Sequence, residues 1–108
     1  MSQYTTDFHG GIIGRSGEFQ GFGYPLGKME QVFFQRMEGQ VEISKEESEH
    51  ALASVFYVPE YDEYCLEPFY PLTCFLSSGQ PLGKERSYYL PRGSEIYILD
   101  WNYRFLLA

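Results

Sequence analysis

Ser44-Lys45-Glu46-Glu47-Ser48-Glu49-His50-Ala51-Leu52-Ala53-Ser54-Val55-Phe56-Tyr57-Val58-Pro59 is the stretch on which the fold class turns. Ser44 followed three residues later by Glu47 is a capping-box pattern, in which the two side chains satisfy backbone amides of a first helical turn. Glu46, Glu47 and Glu49 favour the positive end of a helix. Leu52, Val55 and Phe56 supply an apolar stripe with Ala51 beside it, and Pro59 ends the run. One helix is expected here, and with it an α+β fold.

The sequence on either side repeats itself. Gly23-Tyr24-Pro25-Leu26-Gly27-Lys28 returns as Gly79-Gln80-Pro81-Leu82-Gly83-Lys84. Phe19 and Phe75 precede the two copies, Phe33-Phe34 and Tyr88-Tyr89 follow them, and Arg36 and Arg92 keep the repeat's spacing. Pro25 and Gly27 suit positions i+1 and i+3 of a type I turn, as do Pro81 and Gly83. Aromatic and apolar runs flank each turn, which is a hairpin signal. A second break, Glu38-Gly39 in one copy and Pro91-Arg92-Gly93 in the other, leads into Val41-Glu42-Ile43 and Ile96-Tyr97-Ile98-Leu99. Each half therefore reads as a three-stranded antiparallel meander. Asp100-Trp101-Asn102 then turns the chain into Tyr103-Arg104-Phe105-Leu106-Leu107, a C-terminal hairpin.

The expected architecture is a single domain over residues 1–108, with repeats 17–43 and 73–99 joined by an acidic helix-loop segment, 44–72. The repeats form an open sheet, a sandwich or a small barrel, crossed by the one helix. Ten Tyr and nine Phe in 108 residues suit pleated surfaces and reinforce the strands.

Charge carries the functional reading. Residues 37–67 hold nine acids against Lys45 alone, whereas the remaining 77 residues hold six acids and seven bases. The whole excess of negative charge thus lies in the segment that interrupts the repeat. Carboxylates this dense repel one another, so they require solvent or a basic partner. Large rings punctuate them: Tyr57, Tyr61, Tyr64, Phe69 and Tyr70. Tyr buries area at low entropic cost and keeps a polar tip, which suits an interface. The candidate partner-binding set is Glu46, Glu47, Glu49, Glu60, Tyr61, Asp62, Glu63, Tyr64 and Glu67. The expected function is a small acidic interaction protein that inhibits or sequesters a basic protein, one that binds nucleic acid among the candidates. An inhibitor, an immunity protein or a nucleic-acid mimic works by the same physics. A homodimer is compatible with this reading.

The alternative is an anion- or nucleotide-binding module built on the paired turns, with Lys28, Lys84, Arg36 and Arg92 converging. Direct nucleic-acid binding fits poorly, because eight bases are scattered through the chain rather than clustered. Gly11-Ile12-Ile13-Gly14-Arg15-Ser16-Gly17 lacks the Lys-Ser/Thr ending of a phosphate loop and reads as a bulged entry to a strand. No catalytic order of Ser, His and Asp is visible, so no enzyme and no cofactor are expected. Cys65, Cys74, His9 and His50 lack the close pairing of a zinc site and read as free thiols and ordinary histidines. The N-terminal residues have neither a basic region nor an apolar one, and no run is long enough to span a bilayer. Cytoplasmic location and no membrane contact follow as expectations.

Overall fold

Ala51–Val58 is a β-strand, and the α+β expectation falls with it. The computed structural model describes residues 8–17, 20–27 and 30–108, and no α-helix occurs among the described residues. The described residues form ten strands in chain order: β1 (Phe8–Gly14), β2 (Gly23–Gly27), β3 (Gln31–Met37), β4 (Gln40–Ser44), β5 (Ala51–Val58), β6 (Glu63–Pro68), β7 (Cys74–Leu76), β8 (Tyr88–Pro91), β9 (Ser94–Ile98) and β10 (Arg104–Leu107). They build two five-stranded sheets, β2-β1-β10-β9-β7 and β4-β3-β5-β6-β8, and the registered strand pairs are antiparallel.

β5 lies between β3 and β6, and its first five residues are buried on both faces. A strand covered on both sides reads as a continuous apolar run, which periodicity alone cannot separate from a buried helix. Val55-Phe56-Tyr57-Val58 is β-branched and aromatic, so it packs well on a pleated surface. The apparent capping box is a local turn instead. Ser44 Oγ accepts from the Glu46 amide at 3.1 Å and donates to the Glu46 carbonyl at 3.0 Å. Short hydroxyl side chains stabilise such loops as readily as helix starts.

The three-stranded meanders are corrected as well. In the first half β2 pairs with β1, whereas β3 pairs with β4 and β5. In the second half β8 pairs with β6 in one sheet, and β9 joins β7 and β10 in the other. Pro91-Arg92-Gly93 therefore carries the chain between sheets rather than round a hairpin. The two hexapeptides also differ in conformation. Gly23–Gly27 is strand β2 with Pro25 opposite Gly11, while Pro81 makes only an isolated bridge to Phe75. Pro25 is tolerated because β2 is an edge strand, where a missing N–H leaves no ladder bond broken. The Glu38-Gly39 break is a tight β3–β4 hairpin turn, with both residues at positive φ.

The C-terminal hairpin is present. β10 pairs with β9 and, on its other edge, with β1, which makes it the central strand of its sheet. One core fills the space between the sheets. Ile12, Leu26, Ile96, Ile98, Phe105 and Leu107 face Val32, Phe34, Val41, Val55 and Leu66, and the Phe34 and Phe105 rings meet at 5.0 Å. Among the described residues no helix is long and apolar enough to cross a membrane.

Candidate functional site

The acidic segment does not form one face. It is divided between the two ends of β5, a strand whose eight residues span roughly 25 Å at the usual rise. Glu46, Glu47 and Glu49 occupy the connection entering β5, whereas Glu60, Tyr61 and Asp62 form the turn leaving it. Glu63 and Glu67 lie at opposite ends of β6, which runs back alongside.

At the entering end the chain builds a cleft of about 420 Å³ whose walls include Glu47, Glu49, Glu67, Glu85, Phe69 and Tyr70. Backbone ties fix its walls. The Ala51 amide donates to the Ser48 carbonyl (3.1 Å), and the Arg36 amide donates to the His50 carbonyl (3.1 Å). Ser48 Oγ donates to Gln35 on β3 at 3.0 Å. The Phe69 amide donates to the Leu52 carbonyl (2.8 Å), and the Glu85 amide donates to the Pro68 carbonyl (2.7 Å). Phe69 packs against Phe33 on the outer face of the sheet, while Tyr70 is about half exposed. Among the described residues Glu47, Glu67 and Glu85 make no ion pair, and Glu49 has only the exposed His50 imidazole at 3.7 Å. Among the described residues no Lys or Arg lines the cleft. Charge counting along the chain misses Glu85, which lies outside the acidic segment and is tied to Pro68 at 2.7 Å.

At the leaving end the chemistry is structural. Asp62 sits at a φ of 54°, which is unusual for a residue with a Cβ. Arg92 donates to its carboxylate from Nη2 at 2.9 Å and from Nε at 3.1 Å, and the Tyr57 hydroxyl donates to the same oxygen. Arg92 also stacks over the Tyr57 ring at 5.0 Å and donates to the Ala108 carbonyl at 3.0 Å. The Tyr57 hydrogen bond, then Arg92, holds the Asp62 carboxyl below the usual range. The same bond to Asp62, then burial, raises the Tyr57 phenol. This cluster stitches the β5–β6 turn to the crossing between sheets. Beside it, Tyr61 stands exposed with its ring edge-on to Tyr89 at 5.9 Å, and Glu60 is exposed.

Because the folded carboxyl of Asp62 titrates low, its contribution is complete above the ordinary carboxylate pKa near 4 and is lost as pH falls below it. The melting temperature of Asp62→Asn should therefore lie below that of the parent at neutral pH, and the two should converge in strong acid. A gap that stayed constant down to the lowest pH at which both fold would show that the carboxylate does not stabilise the turn.

Tyr64 leaves the partner-binding set, since it is fully buried. Its hydroxyl accepts from the Gly11 amide at 2.8 Å and shares its proton with the carbonyls of Ala108 and Gly11. Burial raises its phenol. The alternation of β6 carries the signal: Tyr64 and Leu66 point inward, and Glu63 and Glu67 lie on the other face.

The basic residues of the alternative reading are dispersed. Lys28 lies outside the described residues. Arg36 sits where β3 passes His50, and Arg92 is held by Tyr57 and Asp62 at the far end of β5, about 20 Å along the strand. Lys84 is exposed next to Glu85 at the cleft end. Cys65 and Cys74 are free, buried and on different sheets, and burial pushes the Cys74 thiol up to about 12. No cluster of three or more His, Cys, Asp and Glu is placed to hold a metal among the described residues. No protein-family model matches the chain, and no curated protein matches it.

Proposed function

We propose that the chain is a small acidic interaction protein that captures a basic segment of a protein partner and blocks the surface to which that segment belongs. The observation that carries this reading is the cleft, where, among the described residues, three carboxylates without an ion pair and a fourth beside His50 converge with Phe69 and Tyr70 and no Lys or Arg joins the lining. Like charges gathered at one place raise the local attraction for a cation and speed its encounter. A Lys or Arg side chain entering the cleft relieves the repulsion, and its apolar stem packs along the two rings. Tyr70, half exposed in the lining, supplies a π-system that attracts such a cation. A partner whose own function needs that basic segment, such as contact with a phosphate backbone, is silenced while it is held.

The test compares three proteins as bait in host-cell extract: the parent, a cleft variant (Glu47→Lys, Glu67→Lys, Glu85→Lys) and a turn variant (Glu60→Lys, Glu63→Lys). The parent and the turn variant should retain the same basic protein, and the cleft variant should lose it. With that partner purified, the association rate should fall at least tenfold between about 50 and 500 mM salt, as screening shortens to a few ångströms. Tyr70→Ala should mainly speed dissociation. Retention by the cleft variant, or a salt-insensitive association rate, ends the proposal.

A further inference from the structure

Phe75, Tyr97 and Arg104 stand side by side on β7, β9 and β10, because each pair is directly opposed in the antiparallel register. Ile96 and Ile98, which alternate with Tyr97, fill the core, so this row lies on the outer face of the sheet. Trp101, from the β9–β10 turn, leans over it. Its indole meets the Tyr97 ring nearly perpendicularly at 4.4 Å and the Phe75 ring at 5.8 Å, yet the residue is 58% exposed. The turn beneath is held firmly: the Asn102 amide donates to Asp100 Oδ1 at 2.8 Å, and Ser16 Oγ donates to the Asn102 carbonyl at 2.7 Å. An exposed indole held by two neighbouring rings is an apolar surface kept in water, the kind of surface a ligand can cover.

Polar groups lie next along the same face. Glu95 is two residues from Tyr97 and pairs with Arg15 at 3.2 Å and with Arg104 at 3.9 Å. Together with Gln20 these residues line a shallow cleft of about 380 Å³. The guanidinium and carboxylate groups face each other, so the site offers several donors and acceptors in fixed positions with little net charge. That combination disfavours an ion. A phosphate polymer or an anionic membrane would need clustered bases and would meet the chain's formal net charge of −7. It suits a ligand with one apolar face and many hydroxyls around its rim.

We propose that this face binds carbohydrate. A neutral pyranose ring lays its C–H face on Trp101 and its supporting rings, and its hydroxyls exchange hydrogen bonds with Arg15, Glu95, Arg104 and Gln20. The site is separate from the acidic cleft, which is built on the other sheet.

Trp101 is the chain's only tryptophan, so indole emission reports on this site alone. The intact protein is titrated with neutral hexasaccharides of glucose, N-acetylglucosamine, mannose and xylose at up to millimolar concentration. At least one should shift the emission saturably, with an affinity that raised salt leaves unchanged. By calorimetry Trp101→Ala and Tyr97→Ala should weaken that sugar by about tenfold or more. Glu95→Gln should weaken it while keeping the melting temperature. Three results would overturn the proposal: silence from every sugar, undiminished affinity in Trp101→Ala, or a stronger response to heparin or single-stranded DNA than to any neutral sugar.

Discussion

Removing residues 103–107 is expected to abolish cooperative unfolding altogether. The segment contains β10, the middle strand of its sheet, so its loss strips ladder bonds from β1 on one side and β9 on the other. It also removes Phe105 and Leu107, both fully buried, and with them the ring contact that joins the two sheets at Phe34. A single change already tests the argument. Phe105→Ala should cost about 3–5 kcal/mol, a large part of the roughly 5–15 kcal/mol that holds a domain together. Leu106→Ala, on the outer face of the same strand and half-buried, should cost distinctly less. Chemical denaturation followed by circular dichroism reads both. A truncated chain with a normal transition, or equal costs at Phe105 and Leu106, would show that β10 does not anchor the core.

Local signals were legible in the sequence, and long-range pairing was not. Asp100-Trp101-Asn102 between two apolar runs announced the β9–β10 hairpin, and Glu38-Gly39 announced the turn of β3–β4. Ala51–Val58 defeated the same approach because its stripe at 52, 55 and 56 also fits a helix; its burial is decided by β3 and β6, which the local pattern does not contain. The hexapeptide repeat was a real sequence feature with no common conformation, since one copy pairs with Gly10 and Gly11 while the other forms a single bridge. The site was half legible. Charge counting found Glu47, Glu49 and Glu67 but could not see that β5 separates them from Glu60 and Asp62. It also enlisted Tyr64, whose acidic neighbours suggested a surface. Period-two alternation through Glu63-Tyr64-Cys65-Leu66-Glu67 would have turned it inward, where it joins the two sheets.

That junction gives the second large effect. A Cβ on Gly10 would collide with the Tyr64 hydroxyl and lie 2.9 Å from the ring carbon that bears it, both far inside contact distance. The ring cannot retreat, because its hydroxyl is held by Gly11 and Ala108 and its face packs on Tyr57 at 5.2 Å. Gly10→Ala must therefore push β1 off the opposite sheet and should cost roughly 1–3 kcal/mol or more by overpacking. Tyr64→Phe leaves the Gly11 amide without its partner, a loss of about 1–3 kcal/mol where the group stays shielded from water. Because the phenylalanine also removes the nearer clashing atom, the two changes made together should cost less than their sum. Residues in direct contact couple in this way, whereas distant ones add within a few tenths of a kcal/mol. Urea titrations of the parent, both single variants and the double variant give the coupling directly. Strict additivity would mean that Gly10 and Tyr64 do not meet, and that β1 is held to the opposite sheet by some other contact.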